Sequence, residues 1–133
     1  MIGIDTNVLL RYVLSDDPVQ SEIARRFVDE DCSPQAQAFI NLISLVEMWW
    51  VLHRTQKVPK ARLVSLMGDL LENPHIAFAD IEIVASALEA YSEGRADFPD
   101  YLIFFDNRRL GAHSTVSFAI DATRTDYMTH LRE

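Results

Sequence analysis

Cysteine is nearly absent from this chain. Cys32 stands alone, which excludes an internal disulfide and a cysteine-ligated metal cluster and fits a reducing compartment such as the cytoplasm. Lysine is almost as scarce, with only Lys57 and Lys60, and the net charge of -8 argues against broad, unaided phosphate binding. No apolar run approaches the roughly 20 residues of a membrane span. Apolar sequence starts at Ile2 without a basic leader, so neither a secretion signal nor a transmembrane helix is expected. Internal repeats, low-complexity tracts and linkers are missing, and His53, His75, His113 and His130 lack ligand-like spacing.

What is present is apolar material in a repeating order. With 133 residues, 49% of them hydrophobic, the chain is expected to form a single domain over residues 1–133. Ile2-Gly3-Ile4 reads as a short buried strand running straight into Asp5-Thr6-Asn7. Val8–Leu14 reads as a helix broken by Ser15-Asp16-Asp17-Pro18, where Asp17 caps a second helix with Pro18 at its first position. Ile23, Ala24, Phe27 and Val28 mark one face of that helix, and Asp29, Glu30 and Asp31 read as its solvated exit. Ala38-Phe39-Ile40 reads as a second strand. Ser44 then opens a helix through Leu52 that is apolar nearly all round, with Trp49 and Trp50 as core or dimer-interface residues rather than base-stacking platforms. The basic stretch His53–Arg62 is either a solvated loop or a phosphate-facing patch. Leu63, Leu66, Met67, Leu70 and Leu71 stripe the next helix, which Asn73-Pro74 ends. A strand over residues 75–78 and a helix from Asp80 to Gly94 follow. Strand and helix alternate, so the fold class is α/β, with a short parallel sheet covered by helices on both faces.

Four acids fall at element ends. Asp5 follows the first strand, where open α/β sheets collect ligands, although an acid there also suits a helix cap. Glu47 lies three residues after Ser44, a spacing that fits a capping box as well as a site. Asp97-Phe98-Pro99-Asp100 opens a helix with acids three apart; Asp97 suits the cap and Asp100 the first turn before Tyr101-Leu102-Ile103. Arg108 and Arg109 close that helix and could touch phosphate. Thr115–Ile120 alternates as a strand, with Asp121 at its end. A doubly wound sheet could gather all four acids at its carboxyl edge. Such a cluster requires cations, and oxygen-only ligands favour Mg²⁺ or Mn²⁺, ions that act where phosphate is the substrate. One or two ions could bind a scissile phosphate and activate a water.

Met1–Tyr12 followed by Asp16-Asp17-Pro18, Ser44-Leu45-Val46-Glu47 before Trp50-Val51-Leu52, and Ala96–Ile103 together resemble the three leading motifs of PIN-domain ribonucleases of the VapC toxin type. The resemblance covers nearly the whole chain. It implies a three-layer α/β/α fold with a mostly parallel twisted sheet, and an acidic quartet of Asp5, Glu47, Asp100 and Asp121 holding Mg²⁺ or Mn²⁺. Thr6 and Asn7 would support Asp5, leaving capping to one of them, and Asp97 would be an auxiliary acid. The implied activity is endonucleolytic cleavage of RNA, often transfer RNA, by metal-activated water. Its setting would be a homodimeric cytoplasmic toxin blocked by a cognate antitoxin, whose basic segment would suit a negative site. Two motifs depart from the family. Ala119-Ile120-Asp121 stands where Thr-Phe-Asp is common, and Phe104, Phe105 and Asp106 stand where small residues are usual.

Two further readings remain at this point. A phosphoacceptor receiver domain also gathers acids and Mg²⁺ at a sheet edge, but needs a strand-end lysine. A catalytically weakened PIN scaffold would act by binding only.

Overall fold

A computed structural model describes residues 1–132, which fall into two compact units, Met1–Ile81 and the chain from Glu82 onward. The first unit is built on a parallel sheet of β1 (Ile2–Ile4), β2 (Ala38–Ile40) and β3 (Ile76–Phe78) in that order. Their register aligns Ile4, Ile40 and Phe78 across the sheet, so the alternate residues Ile4, Ala38, Ile40 and Ile76 are buried together. Four helices accompany the sheet: α1 (Thr6–Leu14), α2 (Pro18–Arg26), α3 (Leu42–Trp50) and α4 (Lys60–Glu72). Leu9, Val28, Leu45, Met48, Trp49, Leu52, Leu63 and Met67 fill the core, each worth about 1.5–3 kcal/mol relative to exposure. The Asp17 side chain caps α2 by accepting from Val19 N and Gln20 N, with Pro18 in the first turn as expected.

Two of these helices end in a wider turn. Phe27–Asp31 continues α2 and Val51–Thr55 continues α3, both as π-helix, closed by Cys32 N to Phe27 O at 2.8 Å and Gln56 N to Val51 O at 2.9 Å. Cys32 is buried where the first of these turns ends, and burial together with neighbouring Asp31 pushes its thiol pKa up. The acids there are engaged rather than simply solvated. Arg25 contacts Glu22, Asp29 and Glu30, while the Tyr12 hydroxyl donates to Asp29 Oδ1 at 3.0 Å and accepts from Asn73 Nδ2 at 3.1 Å. Burial and the bond to Asp29 push the Tyr12 pKa up to about 12.

In the second unit, α5 (Ile81–Glu93) begins at the unit boundary, and α6 (Phe98–Arg109), β4 (Thr115–Ser117), α7 (Ile120–Thr123) and β5 (Met128–His130) follow. β4 and β5 pair in parallel, Thr115 opposite Met128 and Ser117 opposite His130. Gly94, just after α5, matters for its missing side chain, since a Cβ there would run into the Tyr101 hydroxyl. Phe104 and Phe105 pack edge-on or tilted against Tyr127, which also meets Tyr101.

Short parallel strands alternating with helices make this an α/β fold of the expected class. Several local expectations are corrected. The parallel strands form two sheets, of three and two strands, in place of one doubly wound sheet. The strand expected over Thr115–Ile120 stops at Ser117, because Ser117 Oγ takes the Ala119 N–H and starts the turn into α7. The capping box at Ser44 does not form. Asn41 caps α3 instead, accepting from Ile43 N at 2.8 Å, and Ser44 is buried inside the helix. Lys57 lies before α4 and Lys60 opens it, so neither stands at a strand end as a receiver domain would require.

Candidate active site

Asp5 is the last residue of extended backbone before α1, at φ -90° and ψ 178°. From there its Oδ1 accepts the Val8 N–H at 3.1 Å, so Asp5 itself is the helix cap, a role expected of Thr6 or Asn7. The cap occupies one of two carboxylate oxygens. Thr6 turns elsewhere: its hydroxyl donates to Glu47 Oε1 at 2.9 Å, linking the start of α1 to the middle of α3. Glu47 is exposed, because α3, though apolar nearly all round in sequence, is not buried all round. Its open face carries Ile43, Glu47 and the half-buried Trp50, and Arg54 continues the line four residues on. Asp5, Thr6, Asn7, Leu10, Glu47, Trp50 and Val51 line one cavity of about 610 Å³.

In the second unit Asp97 and Asp100 share a capping box at the start of α6, with the Asp97 N–H donating to Asp100 Oδ2 at 3.1 Å. Asp100 is half-buried. Burial raises its pKa first, and the negative charges of Asp97 and Asp121 raise it further, while the bond from the Asp97 N–H pulls the other way. Asp121 is the exposed second residue of α7, not the end of a strand, and lines a cavity with Arg95, Tyr101, Arg124 and Tyr127. Tyr101 helps hold this corner, its hydroxyl accepting from Ala96 N at 3.3 Å. Arg109, one of two arginines that could touch phosphate, is held by Asp106 at 2.7 Å.

A model of the PIN domain matches residues 2–105. The chain belongs to the PIN-domain family. The match contains Asp5, Glu47, Asp97 and Asp100 and stops before Asp121. No curated protein and no solved structure matches the chain. The PIN domain is generally a nuclease fold, and its members typically use divalent metal ions. Among the described residues no helix is long and apolar enough to cross a membrane.

The donors in this PIN domain suit such an ion by their chemistry. Among the described residues no group of three or more His, Cys, Asp or Glu side chains stands in a metal-holding arrangement. Mg²⁺ does not need one, since it commonly binds through one or two carboxylates, waters and substrate phosphates. Asp5 and Glu47 each engage a neutral donor, and no lysine or arginine among the described residues neutralises either. Asp100 is crowded by two further acids. Both arrangements leave room for a cation to supply missing positive charge.

Sequence reading missed the partnership of Trp50 with Arg54, whose signal was their spacing of four on one helix face. It also missed the Gly94–Tyr101 contact, for which the sequence carries no signal.

Proposed function

We propose that this PIN domain is a metal-dependent endoribonuclease of the VapC toxin type, a single PIN-like domain over residues 1–133. In this reading Asp5, Glu47, Asp100 and Asp121 are the acids that hold Mg²⁺ or Mn²⁺, with Asp97, Thr6 and Asn7 in support. The observation that carries it is the placing of Asp5 and Glu47 on one cavity, with the Thr6 hydroxyl bonded to Glu47 and no cation among the described residues paired with either acid. A bound ion would neutralise the carboxylates, engage the scissile phosphate and activate water for attack. The protein's part is positional. The α1 cap fixes one oxygen of Asp5, and Thr6 fixes one oxygen of Glu47. The capping box orients Asp100, whose raised pKa marks a carboxylate that gains from a nearby positive charge.

The VapC-type reading includes a cytoplasmic toxin restrained by an antitoxin, with a basic antitoxin segment facing the acids. A homodimer agrees with Ile2, Val19, Ile23 and Ile43, large apolar residues left exposed in the first unit. The test is cleavage of RNA, transfer RNA included, by the purified chain with Mg²⁺ or Mn²⁺. Asp5→Asn and Asp100→Asn should each lower cleavage by more than about a hundredfold, beyond the usual cost of losing a supporting residue, with the circular dichroism spectrum unchanged. Full activity in both variants refutes the proposal.

A further inference from the structure

Glu47 does not stand alone on the open face of α3. Trp50 follows one turn later and lines the same cavity as Asp5 and Glu47, and Arg54 places its guanidinium 4.1 Å from the centre of the Trp50 ring. The two tryptophans have separated roles. Trp49 is fully buried, stacked on His53 with centroids 4.5 Å apart, whereas Trp50 is half-buried and meets Trp49 edge-on. Arg11, Arg25 and Arg26 of the same unit are each tied to a carboxylate, whereas Arg54, like Arg62, makes no ion pair among the described residues. Arg54 is thus an exposed cation resting on the ring of a residue that lines a cavity with Asp5 and Glu47, in a chain of net charge -8.

We propose that Trp50 and Arg54 form a shelf that grips single-stranded RNA beside Asp5 and Glu47, an inference that deepens the ribonuclease reading and rests on it. A nucleobase packs on the indole surface that faces the cavity, and the guanidinium takes a flanking phosphate. Stacking is indifferent to charge, so it offsets the repulsion that the acids exert on an approaching polyanion. The indole in turn holds the guanidinium beside the bound base, where it would otherwise sweep freely. The π-helical turn over Val51–Thr55 is the segment that carries Arg54 over this ring.

The full-length protein in EDTA, which suppresses metal-dependent cleavage, tests the shelf with two probes: a short oligouridylate and an abasic ribose-phosphate strand of equal length. The oligouridylate should quench tryptophan emission and the abasic strand should not. Trp50→Leu should weaken oligouridylate binding about tenfold or more, and Trp50→Phe should retain most of it. Arg54→Gln, at an exposed position, should lower the slope of log affinity against log salt by about one. Equal binding of both strands, unchanged binding by Trp50→Leu and Arg54→Gln, or no binding of either strand overturns the inference. The outcome is separable from that of the ribonuclease reading. Shelf-dependent binding with no cleavage in Mg²⁺ removes the nuclease and leaves the shelf; normal cleavage and binding by both variants removes the shelf and leaves the nuclease.

Discussion

The two acid groups solve the problem of holding carboxylates close together in different ways. Asp5 and Glu47 are exposed, and each is steadied by a single neutral donor, the Val8 N–H and the Thr6 hydroxyl. Water screens them, so little is stored in their proximity. Asp100 is half-buried, and its burial first, then the charges of Asp97 and Asp121, raise its pKa. The first pair is exposed and held by hydrogen bonds, whereas the second combines a capping-box bond with burial. Substitutions should therefore act through geometry in the first and through electrostatics and packing in the second.

The largest effect on stability should come from Gly94→Ala. Its new Cβ meets the Tyr101 hydroxyl, next to Asp100 in sequence, and over-packing of this kind costs about 1–3 kcal/mol. Thermal unfolding would register the loss, and a variant as stable as the parent would show that Tyr101 can move aside. Next, Thr6→Val removes the hydroxyl that steadies Glu47 while keeping its shape. Cleavage should fall about tenfold with little change in melting temperature. If melting falls and cleavage does not, the hydroxyl is structural and the contrast between the pairs fails.

At Asp5, replacement by Ala should cost about 1 kcal/mol through the lost cap, whereas Asn caps as well and should leave stability unchanged. Asp100→Asn should go the opposite way and raise the melting temperature of metal-free protein at neutral pH. The sign follows from the shift. The folded-state pKa of Asp100 lies above its unfolded value, so folding favours its protonated form. That contribution is full below the unfolded pKa and lost as pH rises through the folded one. The stabilisation by Asn should therefore shrink as the pH is lowered, and denaturant titrations across acidic to neutral pH would measure it. A constant difference would assign the effect to packing.

Much of this was legible from local chemistry. Asp17-Pro18 opens α2 as its residues require, and the acids three apart in Asp97-Phe98-Pro99-Asp100 start α6 on one turn. The errors arose where a local pattern had a competitor. Ser44 and Glu47 have capping-box spacing, but Asn41 follows β2 directly and takes the cap first. Thr115–Ile120 alternates like a strand, yet the Ser117 side chain binds the Ala119 N–H and turns the chain, moving Asp121 onto a helix. Neither π-helical turn was foreseeable, since nothing in Phe27–Asp31 or Val51–Thr55 favours the wider turn over an ordinary helix end. The exposure of Glu47 and Trp50 depends on which face of α3 the fold covers, and an almost uniformly apolar segment does not encode that choice.

Cys32, inert in the folded chain, has an experimental consequence. It is the only thiol in 133 residues, it lies in the first unit, and it is both buried and held in its less reactive protonated form. A thiol reagent at neutral pH therefore modifies the protein only when that unit opens. The modification rate is a clock for one half of the molecule, with the other half silent to it.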